Sequence, residues 1–121
     1  GKDKDRLWQV GVRDPFVEEN VVDTLRLSNE AVATSGSYEQ FFQYQGKRYS
    51  HIVDPKSGYP AQNGVVSVTV VTKNCTSADA LATAFFVMGP DKIKQFVTRV
   101  SSSMKIFVIS EDETGKKYHI F

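Results

Sequence analysis

The chain reads as an α+β domain: a mainly antiparallel sheet with two adjacent helices. Three observations predict this. Short alternating apolar/polar runs recur between turn residues. One run, Val65-Val66-Ser67-Val68-Thr69-Val70-Val71, is β-branched almost throughout. The apolar period then lengthens to helical spacing over 76–100 and returns to strand spacing afterwards.

In order, Leu7-Trp8-Gln9-Val10-Gly11-Val12 alternates as a strand and is stopped by Arg13-Asp14-Pro15. The acidic Glu18-Glu19-Asn20 segment reads as a loop. Asp23 to Leu27 alternates as a strand and meets Ser28-Asn29, a tight-turn pair because Asn tolerates the left-handed region. Ala31 to Thr34 is then expected to return as its partner, ending in Ser35-Gly36-Ser37. Glu39 to Tyr44 and Lys47 to Val53 form a second hairpin around Gln45-Gly46, which carries His51 to its far end. The strand Val65 to Val71 follows.

Thr76 to Met88 is alanine-rich with apolar residues at helical spacing, and Gly89-Pro90 supplies its stop. Asp91 to about Val100 is a second helix with Ile93, Phe96, Val97 and Val100 on one face. Lys105 to Ile109 and Lys117 to Phe121 close the chain as a hairpin around Asp112-Glu113-Thr114-Gly115.

Composition bounds the function. At 121 residues with 40% hydrophobic content the chain is one domain or part of one, with enough apolar mass for a core. Its 15 basic and 14 acidic residues are interspersed, which leaves no footprint for nucleic acid and no polybasic membrane anchor. No apolar run approaches the ~18 residues of a membrane span. Cys75 is alone, which excludes a disulfide framework and a thiolate metal site. The polar opening Gly1-Lys2-Asp3-Lys4-Asp5 has no methionine, so a longer parent protein is expected, with any targeting segment upstream.

Four places offer chemistry. Asp79 and Thr83 lie four apart on a helix and share a face, giving two hard oxygen donors suited to Mg²⁺ or Ca²⁺. The competing reading is a capping box, with Thr76 as N-cap, Asp79 in the first turn and Thr83 bonding back to the carbonyl of Asp79. A helix N-terminus repels a cation and attracts a phosphate, so a metal here makes most sense arriving with a phosphorylated ligand. His51 suits a general base, or merely bonds the turn that follows it. Asp54 is an acid candidate or an Asx-turn former ahead of Pro55, where Gly58 permits a positive φ. Ser35-Gly36-Ser37 offers backbone N–H groups to a phosphate, or is a plain turn. His119 carries no role.

These pieces occur in a telling order. Ala33-Thr34-Ser35-Gly36-Ser37-Tyr38 precedes Gly46-Lys47-Arg48-Tyr49. His51-Ile52-Val53-Asp54-Pro55-Lys56-Ser57-Gly58-Tyr59-Pro60 and Thr76-Ser77-Ala78-Asp79-Ala80-Leu81-Ala82-Thr83-Ala84 then follow. The series closely resembles the C-terminal half of the FAD:protein FMN transferases, the ApbE-type flavin-trafficking lipoproteins. Trp8-Gln9-Val10-Gly11-Val12-Arg13-Asp14-Pro15 resembles the family's entry into that half, so the likeness spans essentially the whole chain.

The resemblance implies Mg²⁺-dependent transfer of FMN from FAD to a threonine or serine of a target protein, with release of AMP. Hydrolysis of FAD to FMN and AMP is the alternative activity in the family, and a non-catalytic flavin-binding half that needs a partner chain is a further one. It implies Asp79 and Thr83 as metal ligands, holding Mg²⁺ with Ca²⁺ as an alternative, and His51 as the base. Ser35, Gly36, His51, Ile52, Asp54 and Thr76 fall at flavin-binding positions. Ser37 stands where many relatives carry an acidic residue, and Ser57 replaces a common threonine. The implied partners are FAD, an acceptor protein, and an N-terminal half or a second copy that covers open strand edges, with no nucleic acid. The fragment alone is expected to be inactive, and the implied location is extracytoplasmic, as a membrane-anchored lipoprotein or in the periplasm.

Overall fold

The computed structural model describes residues 6–100 and 103–121. The first five residues, the polar opening read from the sequence, lie outside that range. Within the described residues ten elements follow one another: β1 (Trp8–Arg13), β2 (Val21–Leu27), β3 (Ala31–Gly36), β4 (Phe41–Tyr44), β5 (Lys47–Ser50), β6 (Val65–Thr72), α1 (Cys75–Met88), α2 (Pro90–Arg99), β7 (Lys105–Asp112) and β8 (Gly115–Ile120). The α+β class with antiparallel pairing is as expected.

The organising layer is a four-stranded sheet in the order β3-β6-β7-β8. Its centre, β6 and β7, is β-branched and apolar, and both faces are covered. On one face Val68, Val70, Ile106 and Val108 are buried against Ala82, Phe85 and Phe86 of α1 and Ile93 of α2. On the other, Val71 and Phe107 meet Val12, Leu25 and Leu27 of the β1–β2 hairpin. The period of two along a strand explains the split: Val68 and Val70 point to the helices, and Val71 to the hairpin. Thr34 and Thr69 bond hydroxyl to hydroxyl at 2.7 Å on the second face. Among the described residues no buried side-chain nitrogen or oxygen lacks a partner.

One expected pairing is wrong. Ser28-Asn29 does turn the chain, with Asn29 at φ 55, but β3 does not return along β2. β2 pairs with β1, and β3 pairs with β6 in the register Ala33↔Val70 and Ser35↔Val68. Burial decides it: Val32 belongs beside Val71 under the β1–β2 hairpin, so the chain crosses from one layer to the next at this turn. The second hairpin is shorter than expected, β4 starting at Phe41 and β5 ending at Ser50. Its turn has Gln45 at φ 49 and Gly46 at φ 74, as a two-residue turn that follows strand twist requires.

The start of α1 also differs. Its N-cap is Asn74, in extended backbone, whose Oδ1 accepts from Ser77 N at 2.8 Å. Thr76 therefore lies inside the helix, and Asp79 falls beyond the first turn, which contains no acidic residue. The capping-box reading of Thr76 and Asp79 is thereby displaced. At the other end Asn63 Nδ2 donates to the carbonyls of Phe86 and Val87 at 2.9 and 3.0 Å, and its Oδ1 accepts from Val65 N at 3.1 Å. Gly89, at φ 78 and ψ 166, then turns the chain into α2 through backbone that only glycine adopts readily.

Asn63 thus ties the C-terminus of α1 to the start of β6 with three hydrogen bonds. Asn63→Ala is expected to lower stability by about 1–2 kcal/mol, read as an earlier urea midpoint at unchanged slope. Among the described residues no helix is long and apolar enough to cross a membrane.

Candidate active site

α1 packs against β3 and β6, which brings its second turn over the C-terminal end of β3. Ser35 Oγ and Thr83 Oγ1 bond across this contact at 2.9 Å. The chain then leaves β3, turns through 37–40, runs out and back through the β4–β5 hairpin, and re-enters beside α1 at His51. A cleft of about 680 Å³ results, lined by Ser35 and Gly36 of β3, His51 and Ile52 after β5, and Asp79 and Thr83 of α1. Thr34, Val53 and the 38–40 turn complete it.

Asp79 is exposed to the cleft, and its carboxylate has no hydrogen-bond or ion-pair partner among the described residues. Its backbone belongs to the helix, the carbonyl also accepting from Thr83 Oγ1 at 3.4 Å. That long bond makes Ser35 the donor to Thr83 if both interactions form together. Three hydroxyl or carboxylate groups therefore face one corner, all of them hard oxygen donors. Among the described residues no three His, Cys, Asp or Glu cluster as a complete metal set. The donor set matches a cation that takes one or two protein oxygens and fills its shell with water and phosphate, which is the habit of Mg²⁺.

His51 Nδ1 lies 2.8 Å from the carbonyl of Gln40. A carbonyl can only accept, so Nδ1 carries the proton, and in the neutral ring Nε2 keeps its lone pair. The bond runs back to Gln40, before β4, and not to the turn that follows His51, and it is compatible with the base role: one nitrogen orients the ring and leaves the other open.

The remaining sequence candidates separate. Ile52 lines the cleft, but its side chain is buried in the core and its backbone N–H and carbonyl bond Ser50 Oγ and Ala61 N, so it offers only van der Waals contact. Asp54 faces away into a neighbouring groove. Its Oδ1 accepts from Lys56 N at 2.9 Å while its backbone closes the turn with Tyr59 and Gly58, so it is an Asx-turn former. Gly58 has the positive φ expected, 73. Thr76 stands at the exposed start of α1 and is not among the residues lining the cleft. As N-cap it would have been two residues too late.

Tyr38 and Glu39 line the cleft without having been singled out. Tyr38 lies over Gly36, and the Arg13 guanidinium stands 5.7 Å from its ring centroid while pairing with Glu39 at 2.8 Å. Burial pushes the Tyr38 hydroxyl pKa up, the Glu39 carboxylate adds to this, and Arg13 opposes it. The phenol therefore stays protonated as a donor. The sequence signal was Gly36 itself, two residues before an aromatic.

A Cβ on Gly36 would stand 2.5 Å from Tyr38 Cε1 and 3.3 Å from the Val66 carbonyl. Gly36→Ala is expected to cost about 1–3 kcal/mol by overpacking. Adding Tyr38→Ala should recover most of that loss, a coupling that thermal melts of the two single variants and the double variant would read.

The ApbE family profile matches residues 1–108. A Vibrio cholerae FAD:protein FMN transferase is 38% identical over 112 residues, covering 92% of this chain and 33% of that protein. The crystal structure of the ApbE protein from Thermotoga maritima superposes with a TM-score of 0.81 at 41% identity, over 98% of this chain and 37% of that one. The apo flavinyl transferase ApbE of Pseudomonas stutzeri gives 0.73 at 31% identity, over 94% and 34%. The chain spans about a third of the length of these relatives.

Proposed function

The chain belongs to the ApbE family, and from that premise we propose that it carries one wall of a centre that moves FMN from FAD onto a threonine or serine of an acceptor protein. The observation that carries this reading is the pairing across the cleft of an unpartnered carboxylate, Asp79, with a histidine whose Nε2 is left open. Transfer between a pyrophosphate and a hydroxyl needs charge neutralisation on one side and a proton acceptor on the other.

In this reading Asp79 and Thr83 hold a divalent cation of the Mg²⁺ kind, which when bound neutralises charge on the pyrophosphate. Ser35 fixes the Thr83 hydroxyl and so the direction of its lone pairs. The acceptor hydroxyl oxygen forms a bond to the FMN-side phosphorus as the bond to the AMP oxygen breaks. The hydroxyl proton passes to His51 Nε2, while the Gln40 carbonyl steadies the imidazolium through Nδ1–H. FMN ends as a phosphodiester on the acceptor, AMP departs, and His51 returns its proton to solvent. None of this needs a covalent enzyme intermediate.

With two side-chain oxygens as its metal set and a third of its relatives' length, the chain works with protein outside it to close the flavin pocket. The test uses a polypeptide of the relatives' full length that contains this chain, supplied with FAD, Mg²⁺ and candidate acceptors. The expected result is flavin fluorescence that stays on the acceptor through denaturing electrophoresis, with one AMP per flavin attached. Binding of FAD without attached flavin, and with free FMN accumulating instead, would replace transfer with hydrolysis.

A further inference from the structure

Gly46-Lys47-Arg48-Tyr49, the turn and first residues of β5, takes no part in the transfer chemistry. Its arginine does not line the cleft. Arg48 pairs with Gln43, so Phe41 is its diagonal neighbour on one face of the hairpin, while Phe42 and Tyr49 stack on the other. From there the guanidinium carbon stands 3.5 Å from the Phe41 ring centroid, and Nη2 donates to the Tyr38 carbonyl at 3.0 Å. Tyr38 and Phe41 bracket Gln40, whose carbonyl is the acceptor that orients His51.

This short segment has little else to hold it. Ser37 N is tied to the Val66 carbonyl at 3.0 Å, and the β4–β5 ladder begins at Phe41↔Ser50. Between those points, among the described residues, no backbone–backbone hydrogen bond holds 38–40. Carried one step further, the ladder register sets Gln40 opposite His51, so carbonyl and ring meet just past the last paired residues. Two side chains reach the segment. Arg13 grips only the Glu39 carboxylate, and both of those side chains are exposed, so that pair restrains the backbone weakly. Arg48 grips the backbone before Gln40 and the ring after it. A planar guanidinium does both at once, with an N–H donating in its plane and its face on the ring; an ammonium group has no such face.

We propose that Arg48 is a positioning residue for His51. By fixing the Gln40 carbonyl it selects the tautomer with the proton on Nδ1 and keeps Nε2 open towards the cleft. Its effect on rate rests on the transfer reading above, in which Nε2 takes the acceptor proton. Its effect on the ring does not, and the two are measured separately.

The experiment uses the full-length protein with ¹⁵N-labelled histidine, the His51 signals being assigned by their loss in His51→Asn. In the wild type Nδ1 should carry the proton and Nε2 should not. Arg48→Ala should shift both nitrogens towards a mixture of tautomers, with a melting point near that of the wild type because Arg48 is exposed. The kcat of flavin transfer should fall about 10–100-fold, as for a misplaced reacting group, with KM for FAD moving less than about twofold. In a His51→Ala background, Arg48→Ala should change the residual rate by less than about twofold, because the group it positions is gone. Arg48→Lys keeps the charge and a donor but loses the flat face, and should regain only part of the rate.

Three results would overturn the proposal. His51 nitrogen signals unmoved in Arg48→Ala remove the brace. A further loss of about tenfold on top of His51→Ala shows Arg48 acting on substrate or fold by another route. Full recovery in Arg48→Lys gives the effect to charge alone. A wild type that attaches no flavin to any acceptor, with the tautomer still shifting in Arg48→Ala, instead sinks the transfer reading and leaves the brace standing.

Discussion

Asp79→Ala is expected to reduce flavin transfer by at least about 10³-fold while leaving the fold intact. The two halves of that expectation come from one structural fact. The Asp79 carboxylate is exposed and bonds nothing in the protein among the described residues, so its removal should change stability by no more than about 0.5 kcal/mol. Had it been part of a cap, the loss would have been about 1 kcal/mol. Asn74 does that work instead, and Asn74→Ala is the contrasting variant in the same melts. The activity loss follows because stabilising charge at a pyrophosphate by a held cation is worth several kcal/mol, and among the described residues lining the cleft Asp79 is the one carboxylate not already paired, Glu39 being held by Arg13. Isothermal titration with Mg²⁺ and FAD together, beside the transfer rate, separates the effects. Unchanged transfer in Asp79→Ala would remove the metal assignment. A melting point that fell sharply would show that the carboxylate is structural after all.

How far the sequence revealed this can be judged element by element. The strand Val65 to Val71 and the alanine-rich helix after it were plain because local period and burial agree there: a central strand and its covering helix are apolar for the same reason. The pairing of β3 was not legible. Ser28-Asn29 has the chemistry of a hairpin turn and even the positive φ, but a turn fixes direction only locally. The partner of β3 was chosen by burial of Val32 beside Val71, a contact 39 residues apart in register that no short pattern encodes. The helix start was ambiguous for another reason. Asn74, Thr76 and Ser77 are all good caps, and only backbone geometry shows that Asn74 takes the extended position.

The site behaved similarly. Asp79, Thr83, His51, Ser35 and Gly36 meet in one cleft, and family resemblance rather than spacing had pointed to them together. Asp54 and Thr76 belong to the same motifs but turn their side chains to other tasks or other places. Tyr38 and Glu39 escaped notice because their contact with Arg13 joins the end of β1 to the turn after β3, across layers.

His51 yields the second large effect, and here two substitutions decide between roles. His51→Ala removes both the hydrogen bond to the Gln40 carbonyl and the open Nε2. Transfer should fall about 10²–10⁴-fold, the usual span for loss of a general base, and stability by about 1 kcal/mol for the lost bond. His51→Asn distinguishes the two losses. Its amide N–H₂ can still donate to the Gln40 carbonyl, so the loop should keep its place and its stability, but an amide has no basic nitrogen to take a proton. If His51 accepts the proton, the asparagine variant melts like the wild type and transfers as poorly as the alanine variant, with FAD affinity little changed in both. If the histidine only pins the loop, asparagine restores transfer as well as stability. The latter outcome would leave the cleft without a base and return the proton to solvent.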